Sequence, residues 1–333
     1  MNSYSIIPDI RGQAEKLTDL LGTLGWEKRM NAWRPPEAHE QLVFLGDFID
    51  RGPQNKEVLR IVRELVDSGY ARAIMGNHEL NAIHYHTLDL DTGKPLRKRS
   101  EKNNAQHKAF LEEFPLGSEQ ANEAIKWFST LPLWLDLEPF RVVHACWSDK
   151  AIDTLSSYST DGSLSWDSLI IAGRKYKTDD MSDGARLKNA VDLLAKGPEI
   201  ILPEPYFFFD KDMVKRREMR VAWWKHQART YRDVAMSVPD ENQLPNQDIP
   251  SEDAKLIYPK DAKPVFFGHY WLKAPTLEAD NALCLDCSAG TDGPLIAYQF
   301  TAESTGISLN NVIGHPNLKR SRVEAMGSDG MDG

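Results

Sequence analysis

The strongest constraint on the fold is a regular alternation of short apolar runs and amphipathic segments in the first 80 residues. The apolar runs at residues 4–8, 42–45 and 72–75 have the length of buried strands. The segments 13–24 and 54–67 carry leucine, isoleucine and valine at helical spacing, and a glycine follows each of them closely. The order strand, helix, strand, helix, strand predicts a parallel sheet joined by crossover helices.

The rest of the chain returns to this pattern after two less regular stretches. Further strands are predicted near residues 133–137, 140–143, 265–267, 282–285 and 295–300, and further helices near 104–113, 118–130 and 183–196. We expect an α/β fold with a single domain over residues 1–314, which carries insertions at about 89–131 and 150–260. The polar, glycine-rich segment 315–333 is predicted to be a mobile tail.

Composition limits the class of protein and its partners. The net charge of −9 argues against a broad binding surface for duplex DNA. No apolar run is long enough for a membrane span or a signal peptide, so no membrane partner is expected. The three cysteines are too few for a disulfide framework, which predicts a cytoplasmic protein. Cys284 and Cys287 form a lone C-x-x-C, for which buried thiols are favoured over a zinc or redox site. The sequence assigns no oligomeric state.

Five predicted strands each end in a residue that can bind a cation. These residues are Asp9, Asp47, Asn77, His144 and His269. Each one alone is more often a turn or rim residue. Ligands of open α/β sheets, however, bind beyond the carboxyl ends of the strands, so five such ends predict one common cluster. Mixed carboxylate, amide and imidazole ligands suit Mn²⁺, Fe or Zn²⁺ better than Ca²⁺.

Two glycine-bounded motifs make the pattern specific. Residues 46–52 read Gly-Asp-Phe-Ile-Asp-Arg-Gly, and residues 76–79 read Gly-Asn-His-Glu. With the segments around His144 and 264–300, they resemble the calcineurin-like metallophosphoesterase superfamily, nearest its serine/threonine phosphoprotein phosphatase branch. Bacterial members include phosphatases and diadenosine polyphosphate hydrolases. The resemblance implies a sandwich of mixed β-sheets flanked by helices, and it does not extend to residues 150–260.

The resemblance also implies a set of metal ligands. Asp47 would bridge two metal ions, because a carboxylate has two oxygens that can serve both. Asp9 would bind the first ion, and Asn77, His144 and His269 would bind the second. Mn²⁺ is the most expected ion, with Fe or Zn²⁺ as alternatives.

Three further residues have roles implied by the resemblance. A metal-activated hydroxide would attack phosphorus in line, and His78 would protonate the leaving alkoxide as general acid. Asp50 would hold His78 in an Asp–His pair. Arg51 would bind phosphate oxygens through its forked guanidinium, although without the motif a salt bridge to a nearby carboxylate would be favoured.

The sequence departs from the family pattern at Arg11. The family has histidine there, as a ligand of the first metal, and arginine has no lone pair to give. Trp271 stands where many relatives have a second histidine, so it does not compensate. Arg11 could replace the metal electrostatically and bind phosphate, the first metal could bind weakly with water as ligand, or the substitution could be disabling, whether natural or engineered. We expect one tightly bound ion and a second that is weak or absent.

Three functions therefore follow from the sequence. The first is hydrolysis of a phosphoester in a nucleotide or phosphoprotein. The second is hydrolysis of a dinucleoside polyphosphate. The third, from a different class, is a catalytically impaired protein that binds a phosphorylated ligand, and only Arg11 favours it.

Several residues near the motifs have two interpretations. Trp147, Trp223, Trp224 and Trp271 could stack a nucleobase, but core packing is favoured. Arg220 and its basic neighbours could contact phosphate, but a solvated face is favoured. The histidines 84, 86 and 107 are expected on the surface. The two insertions are expected to cover the mouth of the site and to select the substrate.

Overall fold

A computed structural model describes residues 3–316, apart from residues 160, 178, 212, 302, 303 and 305. The strands, in chain order, are β1 Ser3–Ile7, β2 Glu27–Arg29, β3 Ala32–Arg34, β4 Glu40–Phe44, β5 Ala71–Ala73, β6 Trp134–Asp136, β7 Arg141–Val143, β8 Glu199–Ile201, β9 Phe208–Phe209, β10 Lys215–Arg216, β11 Glu218–Val221, β12 Ala235–Met236, β13 Val265–Phe267, β14 Ala282–Cys284, β15 Ala297–Phe300 and β16 Val312–Ile313.

The helices alternate with the strands in the first part of the chain and cluster in its middle. They are α1 Ala14–Thr23, α2 Asn55–Asp67, α3 Asn77–His86, α4 Glu101–Glu113, α5 Glu119–Phe128, α6 Asp149–Ser156, α7 Trp166–Gly173, α8 Asp183–Lys196, α9 Tyr231–Val234 and α10 Ser251–Ala254. Two short 3₁₀ helices lie at Glu241–Gln243 and Leu309–Asn311. No helix among the described residues is long and apolar enough to cross a bilayer.

Two mixed sheets form the centre of the molecule. The first has the strand order β16-β15-β1-β4-β5, and the second has the order β14-β13-β7-β6. Strands β1, β4 and β5 are parallel, as the sequence predicts, and so are β7, β13 and β14. The outer strands β15, β16 and β6 run antiparallel to their neighbours.

Side-chain alternation along the strands makes the two sheets a sandwich. Ile6 of the first sheet and Phe266 of the second lie in one buried cluster, which contains residues of both sheets and of no α-helix. Ile7 and Phe267, the next residues along each strand, lie in a second cluster that also contains the helices. Because successive side chains of a strand point to opposite faces, each sheet packs on its partner sheet and on helices at the same time. The fold is the α/β sandwich of mixed sheets that the sequence predicts.

The segment 150–260, to which the family resemblance does not extend, contains regular structure. Helices α6 and α7 both pack against α8, and β8, β11 and β12 form a small antiparallel sheet. Of these elements the sequence predicted only α8 with its observed bounds. The division into one domain with two insertions stays a prediction, and residues 317–333 of the predicted tail lie outside the described residues.

Candidate active site

Five strand ends converge at one edge of the sandwich. Asp9 follows β1, Asp47 follows β4, Asn77 follows β5, His144 follows β7 and His269 follows β13. The Asn77 Oδ1 atom lies 3.0 Å from His144 Nε2 and 2.9 Å from His269 Nδ1. Asp47 Oδ2 lies 3.3 Å from His144 Nε2. The structure thus brings together all five residues that the sequence proposes as metal ligands.

The donor atoms of this cluster suit a cation. His144 Nδ1 lies 2.7 Å from the Leu45 carbonyl and donates to it, so in the neutral ring Nε2 carries a lone pair. That lone pair faces the oxygens of Asn77 and Asp47, and the buried Asp47 Oδ2 atom, although it forms an ion pair with Arg11, accepts no hydrogen bond among the described residues. Burial lowers the pKa of His144, but the charge and hydrogen bond of Asp47 together with the charge of Asp9 outweigh it and raise the pKa to about 9. These residues fit a divalent metal ion.

The place of a first metal ion holds a guanidinium instead. Arg11 Nη2 lies 2.9 Å from Asp9 Oδ2 and 2.6 Å from Asp47 Oδ2, and all three side chains are almost fully buried. Asp9, Asp47 and His144 could form a three-ligand site by the spacing of their atoms alone. Because the Arg11 N–H group already lies between the two carboxylates, the residues present do not fit a second cation there.

More than one buried carboxylate acts on the single charge of Arg11. Asp286 is a third buried carboxylate in this region, and it accepts hydrogen bonds from the backbone N–H groups of Trp271 and Ser288 at 2.9 Å. Burial and the charge of Asp286 raise the pKa of Asp9 to about 7, although Arg11 acts in the opposite direction. The sequence analysis missed Asp286, which follows β14 at the same edge of the sheets.

His78 and Asp50 form the pair that the motif implies. His78 Nδ1 lies 2.5 Å from Asp50 Oδ2, and the His78 backbone N–H donates to Asp47 Oδ1 at 2.8 Å. Burial raises the pKa of Asp50, but hydrogen bonds from two histidines outweigh it and lower the pKa to about 2. Asp50 is therefore a carboxylate at neutral pH, and His78 directs its Nδ1 proton to it. This leaves Nε2 of His78 available to exchange a proton with a substrate.

Glu79 joins the two motif loops. Its carboxylate accepts hydrogen bonds from the backbone N–H groups of Asp47 at 2.8 Å, Phe48 at 2.8 Å and Gly76 at 3.0 Å. Burial and the charge of Asp47 raise the pKa of Glu79 to about 7. The loop after β4 is thereby held against the start of α3, and the sequence analysis had assigned Glu79 no role of its own.

The loops that carry the site residues contain many residues with a positive φ angle. Six of the eleven non-glycine residues with positive φ among the described residues belong to the site: Arg11, Asp47, Asp50, Arg51, His269 and Trp271. Such a conformation costs energy for a residue with a Cβ atom, and it persists only where the surroundings impose it. The strain is therefore concentrated where the side chains must converge.

A cavity of about 430 Å³ opens onto this cluster. It is lined by Arg11, Arg51, Asn77, His78, Asn81, Gln106, Asp192, Lys196, Gly197, Glu199, Arg220, His269 and Trp271. The segment 150–260, to which the family resemblance does not extend, supplies Asp192, Lys196 and Arg220, among others. Lys196 lies 2.6 Å from Asp192, and Arg220 lies 3.7 Å from Glu199. Arg220 thus borders the cavity while its side chain is 42% exposed, so a phosphate contact from it stays a prediction.

The aromatic residues divide into two groups. Trp147, Trp223 and Trp224 are at most 4% exposed, which agrees with core packing. Trp271 instead lines the cavity, and the guanidinium carbons of Arg11 and Arg51 lie 5.0 and 5.3 Å from its ring centre. Core packing was thus the wrong interpretation for Trp271 alone.

Arg51 has no ion pair within the described part of the chain, so its guanidinium can bind an anion in the cavity.

The burial of the cysteines agrees with the prediction from the sequence, whereas the burial of two histidines does not. Cys284 and Cys287 are buried free thiols, as expected. His84 and His107 are 6% and 5% exposed, so the expectation of surface histidines was wrong for both. His84 Nε2 bonds to the Leu169 carbonyl at 2.9 Å, whereas His107 bonds to Asp50.

Comparison with known proteins agrees with this geometry. The family model for calcineurin-like phosphoesterases matches residues 5–270. The chain belongs to the calcineurin-like phosphoesterase family. Within this family the convergence of aspartate, asparagine and histidine at the strand ends is expected to serve a metal-dependent reaction.

Relatives of this calcineurin-like phosphoesterase include dinucleoside tetraphosphatases. It is 33% identical over 140 residues to the symmetrical bis(5'-nucleosyl)-tetraphosphatase of Vibrio parahaemolyticus, over 42% of this chain and 43% of that protein. It is 40% identical over 76 residues to the asymmetrical bis(5'-nucleosyl)-tetraphosphatase PrpE of Bacillus subtilis, over 23% of this chain and 31% of that protein. The match thus spans less than half the length of either relative.

A solved structure supports the fold. A cold-active protein tyrosine phosphatase superposes with a TM-score of 0.50 and 14% identity, covering 90% of this calcineurin-like phosphoesterase and 73% of that chain. At this level of identity the similarity concerns the architecture alone.

Proposed function

We propose that this chain is a metal-dependent phosphoester hydrolase that acts on a nucleotide. The observation that carries the proposal is the metal-type donor set of Asp47, Asn77, His144 and His269 beside the His78–Asp50 pair. Both groups border one cavity, so a phosphate bound there could contact a cation and a proton donor at once.

The chemistry divides between a cation and the residues of the chain. A divalent ion, with Mn²⁺ as first candidate and Fe or Zn²⁺ as alternatives, would polarise the phosphate and activate water for in-line attack. Arg51 and Arg11 bind the phosphate oxygens and offset their charge. His78 gives its Nε2 proton to the leaving oxygen while Asp50 holds the ring.

We propose further that the chain binds a single catalytic cation. Support comes from the contacts of Arg11, because one guanidinium nitrogen already bonds to both Asp9 and Asp47. A fixed positive charge at this position can attract phosphate oxygens as a metal ion would, but it cannot activate water. Arg11 would thus supply the positive charge of a first metal ion. The water that attacks phosphorus would be activated by the ion at the second site.

The cavity favours a nucleotide over a phosphoprotein. Trp271 offers an aromatic face, and planar bases stack on such faces. Lys196 and Arg220 add two further cationic groups to the wall of the cavity. The chain's relatives are described as bis(5'-nucleosyl)-tetraphosphatases, and these extra cations suit several linked phosphates. Hydrolysis of a dinucleoside polyphosphate is therefore the second candidate function.

The place of action we propose is the cytoplasm. All three cysteines are free and buried, and reduced thiols are typical of that compartment. A phosphoprotein remains the alternative substrate, and the assay described next distinguishes it from a nucleotide.

Assays with purified protein and added Mn²⁺ test the function. We expect turnover of p-nitrophenyl phosphate, and more efficient turnover of nucleotides or diadenosine tetraphosphate than of a phosphopeptide. His78→Asn should lower kcat by about 10²- to 10⁴-fold, because general acid catalysis contributes about that much. Its metal content should be unchanged.

His226→Asn is the matched control, because His226 also bonds through Nδ1, to the Tyr258 carbonyl at 2.8 Å, but does not line the cavity. Its kcat should equal that of the wild type. Nucleotide binding without turnover under Mn²⁺, Fe²⁺ or Zn²⁺ would replace the proposed enzyme by the ligand-binding alternative. Preferred turnover of the phosphopeptide would overturn the nucleotide assignment.

A further inference from the structure

A second histidine binds the carboxylate that holds the proposed general acid. His107, on α4, lies with Nδ1 2.9 Å from Asp50 Oδ1, while His78 occupies the other oxygen of Asp50. His86 extends the chain, because its Nε2 lies 3.2 Å from His107 Nε2. His78, Asp50, His107 and His86 therefore form one continuous row of polar groups leading away from the cavity.

The protons of this row can be placed by elimination. Asp50 is ionised and can only accept, so the Nδ1 atoms of His78 and His107 both carry hydrogen. In a neutral His107 ring Nε2 is then an acceptor, and His86 must donate to it through its own Nε2. Each oxygen of Asp50 thus receives one directed hydrogen bond, and neither can rotate toward a new partner without leaving a buried donor unpaired.

The ring of His107 is itself held firmly. It stacks on Phe110 with ring centres 4.8 Å apart and an 18° angle between the planes, and it meets the edge of Tyr85 at 5.0 Å. Both neighbours belong to helices that flank the site. A side chain clamped in this way can fix the direction of its hydrogen bond.

Helix α4 supports Asp50 by a second route. The Asp50 backbone N–H donates to Asn55 Oδ1 at 2.7 Å. Asn55 Nδ2 in turn donates to Glu113 Oε1, at the end of α4, at 2.7 Å. Because Asp50 has a positive φ of 72°, its backbone needs such support to stay in place. The helix thus contacts the side chain of Asp50 directly and supports its backbone through Asn55.

We propose that His107 is a positioning residue for proton donation: it fixes the Asp50 carboxylate and thereby aims His78 at the leaving oxygen. The inference rests on the proposed hydrolysis with His78 as general acid. In that step His78 must carry a proton on both ring nitrogens: its Nε2 proton goes to the leaving oxygen as the P–O bond breaks, the hydroxyl of water stays on phosphorus, and the other water proton passes to solvent. Through His107, helix α4 would help to position the proton donor as well as cover the site.

Leaving-group dependence tests this role, because a proton donor matters most for a basic leaving group. His107→Leu should lower kcat for phenyl phosphate about 10- to 100-fold, a part of the roughly 10²- to 10⁴-fold that a general acid contributes. With p-nitrophenyl phosphate, whose phenolate leaves without a proton, the loss should be several-fold smaller. KM should change little for either ester.

His107→Asn is the conservative variant, because its amide N–H can take the place of Nδ1–H, and it should restore most of the selectivity between the two esters. His226→Leu is the matched control for loss of a partly buried histidine, and its rates for the two esters should keep the wild-type ratio.

The outcomes separate the inference from the proposed function. Equal losses for both esters in His107→Leu would indicate damage to folding and overturn the inference, while hydrolysis by the wild type upholds the function. A wild type that hydrolyses neither ester overturns both. Retention of wild-type kcat for phenyl phosphate by His107→Leu overturns the inference alone.

Discussion

Single residues decide how many cations this site can hold. Arg11 differs from a metal ligand by one property, the absence of a lone pair, and its guanidinium bonds to both Asp9 and Asp47. Asp47 accepts this contact and also faces His144 at 3.3 Å, so one carboxylate lies between a fixed charge and the proposed metal ligands. With the single cation proposed above, Asp47 would have positive charge on both sides and a metal ion on only one of them.

The number of metal ions per chain tests the proposal that Arg11 takes the place of a first ion. The wild type, dialysed and analysed by mass spectrometry, should contain about one divalent ion per chain, and Arg11→His should contain about two because histidine supplies the missing ligand. Arg217→His, whose arginine pairs with Glu204 outside the cavity, should match the wild type. Nearly two ions in the wild type would contradict the proposal. A large gain in turnover by Arg11→His would identify residue 11 as a disabling substitution.

At the scale of elements, glycines let the strand ends approach one another. A Cβ atom on Gly268, directly after β13, would lie 2.1 Å from Asp9 Oδ1. That oxygen accepts the His269 backbone N–H at 3.0 Å, and the other oxygen of Asp9 is held by Arg11. Asp9 therefore cannot move aside, and the close contact of the two sheets at this edge depends on the absence of a side chain.

Substitution of this glycine should lower stability. Gly268→Ala should reduce the free energy of unfolding by about 1–3 kcal/mol, as overpacking does elsewhere, measured by urea denaturation. Gly22→Ala is the matched control, because nothing lies within 4 Å of its added Cβ in the exposed part of α1. It should raise stability by about 0.5–1 kcal/mol. Equal stability of Gly268→Ala and the wild type would mean that the strand ends can separate.

The sequence predicted the elements whose patterns are local. Helix α2 and strand β13 could be read from apolar spacing, and glycine-bounded motifs pointed to Asp47 and His78. The burial of His107 could not be read, because it depends on α4 packing beside Asp50, more than fifty residues away in the chain. Helix α7 was missed for a related reason, since its eight residues are too few to give a clear helical period.

At the scale of the whole molecule, distant parts of the chain complete one cavity. Segments from both halves of the sandwich supply the proposed metal ligands, and α8 with β11 adds Lys196 and Arg220. These two cations are paired with acids on their own side of the cavity, at 2.6 and 3.7 Å. The looser pair of Arg220 leaves its guanidinium the more available of the two for a second phosphate of the substrate.

Substrate selection should therefore change when Arg220 is neutralised. Arg220→Met is expected to raise KM for diadenosine tetraphosphate by about tenfold, since a charge-assisted hydrogen bond contributes about 1.5–3 kcal/mol. Its KM for p-nitrophenyl phosphate, which has one phosphate, should change far less. Arg217→Met, on the same part of the chain but outside the cavity, serves as control. The same KM increase for both substrates would assign Arg220 to the scissile phosphate instead.

The guanidinium between Asp9 and Asp47 has one more consequence. A metal ion exchanges with its surroundings, so its occupancy follows supply, competing ions and chelators. The charge of Arg11 is attached by covalent bonds and is made with the polypeptide, so its share of the positive charge at this centre is independent of metal availability. With the single catalytic cation proposed above, the protein would need only one ion from its environment. The cation at the other position would always be the guanidinium of Arg11, whatever metal ions are present.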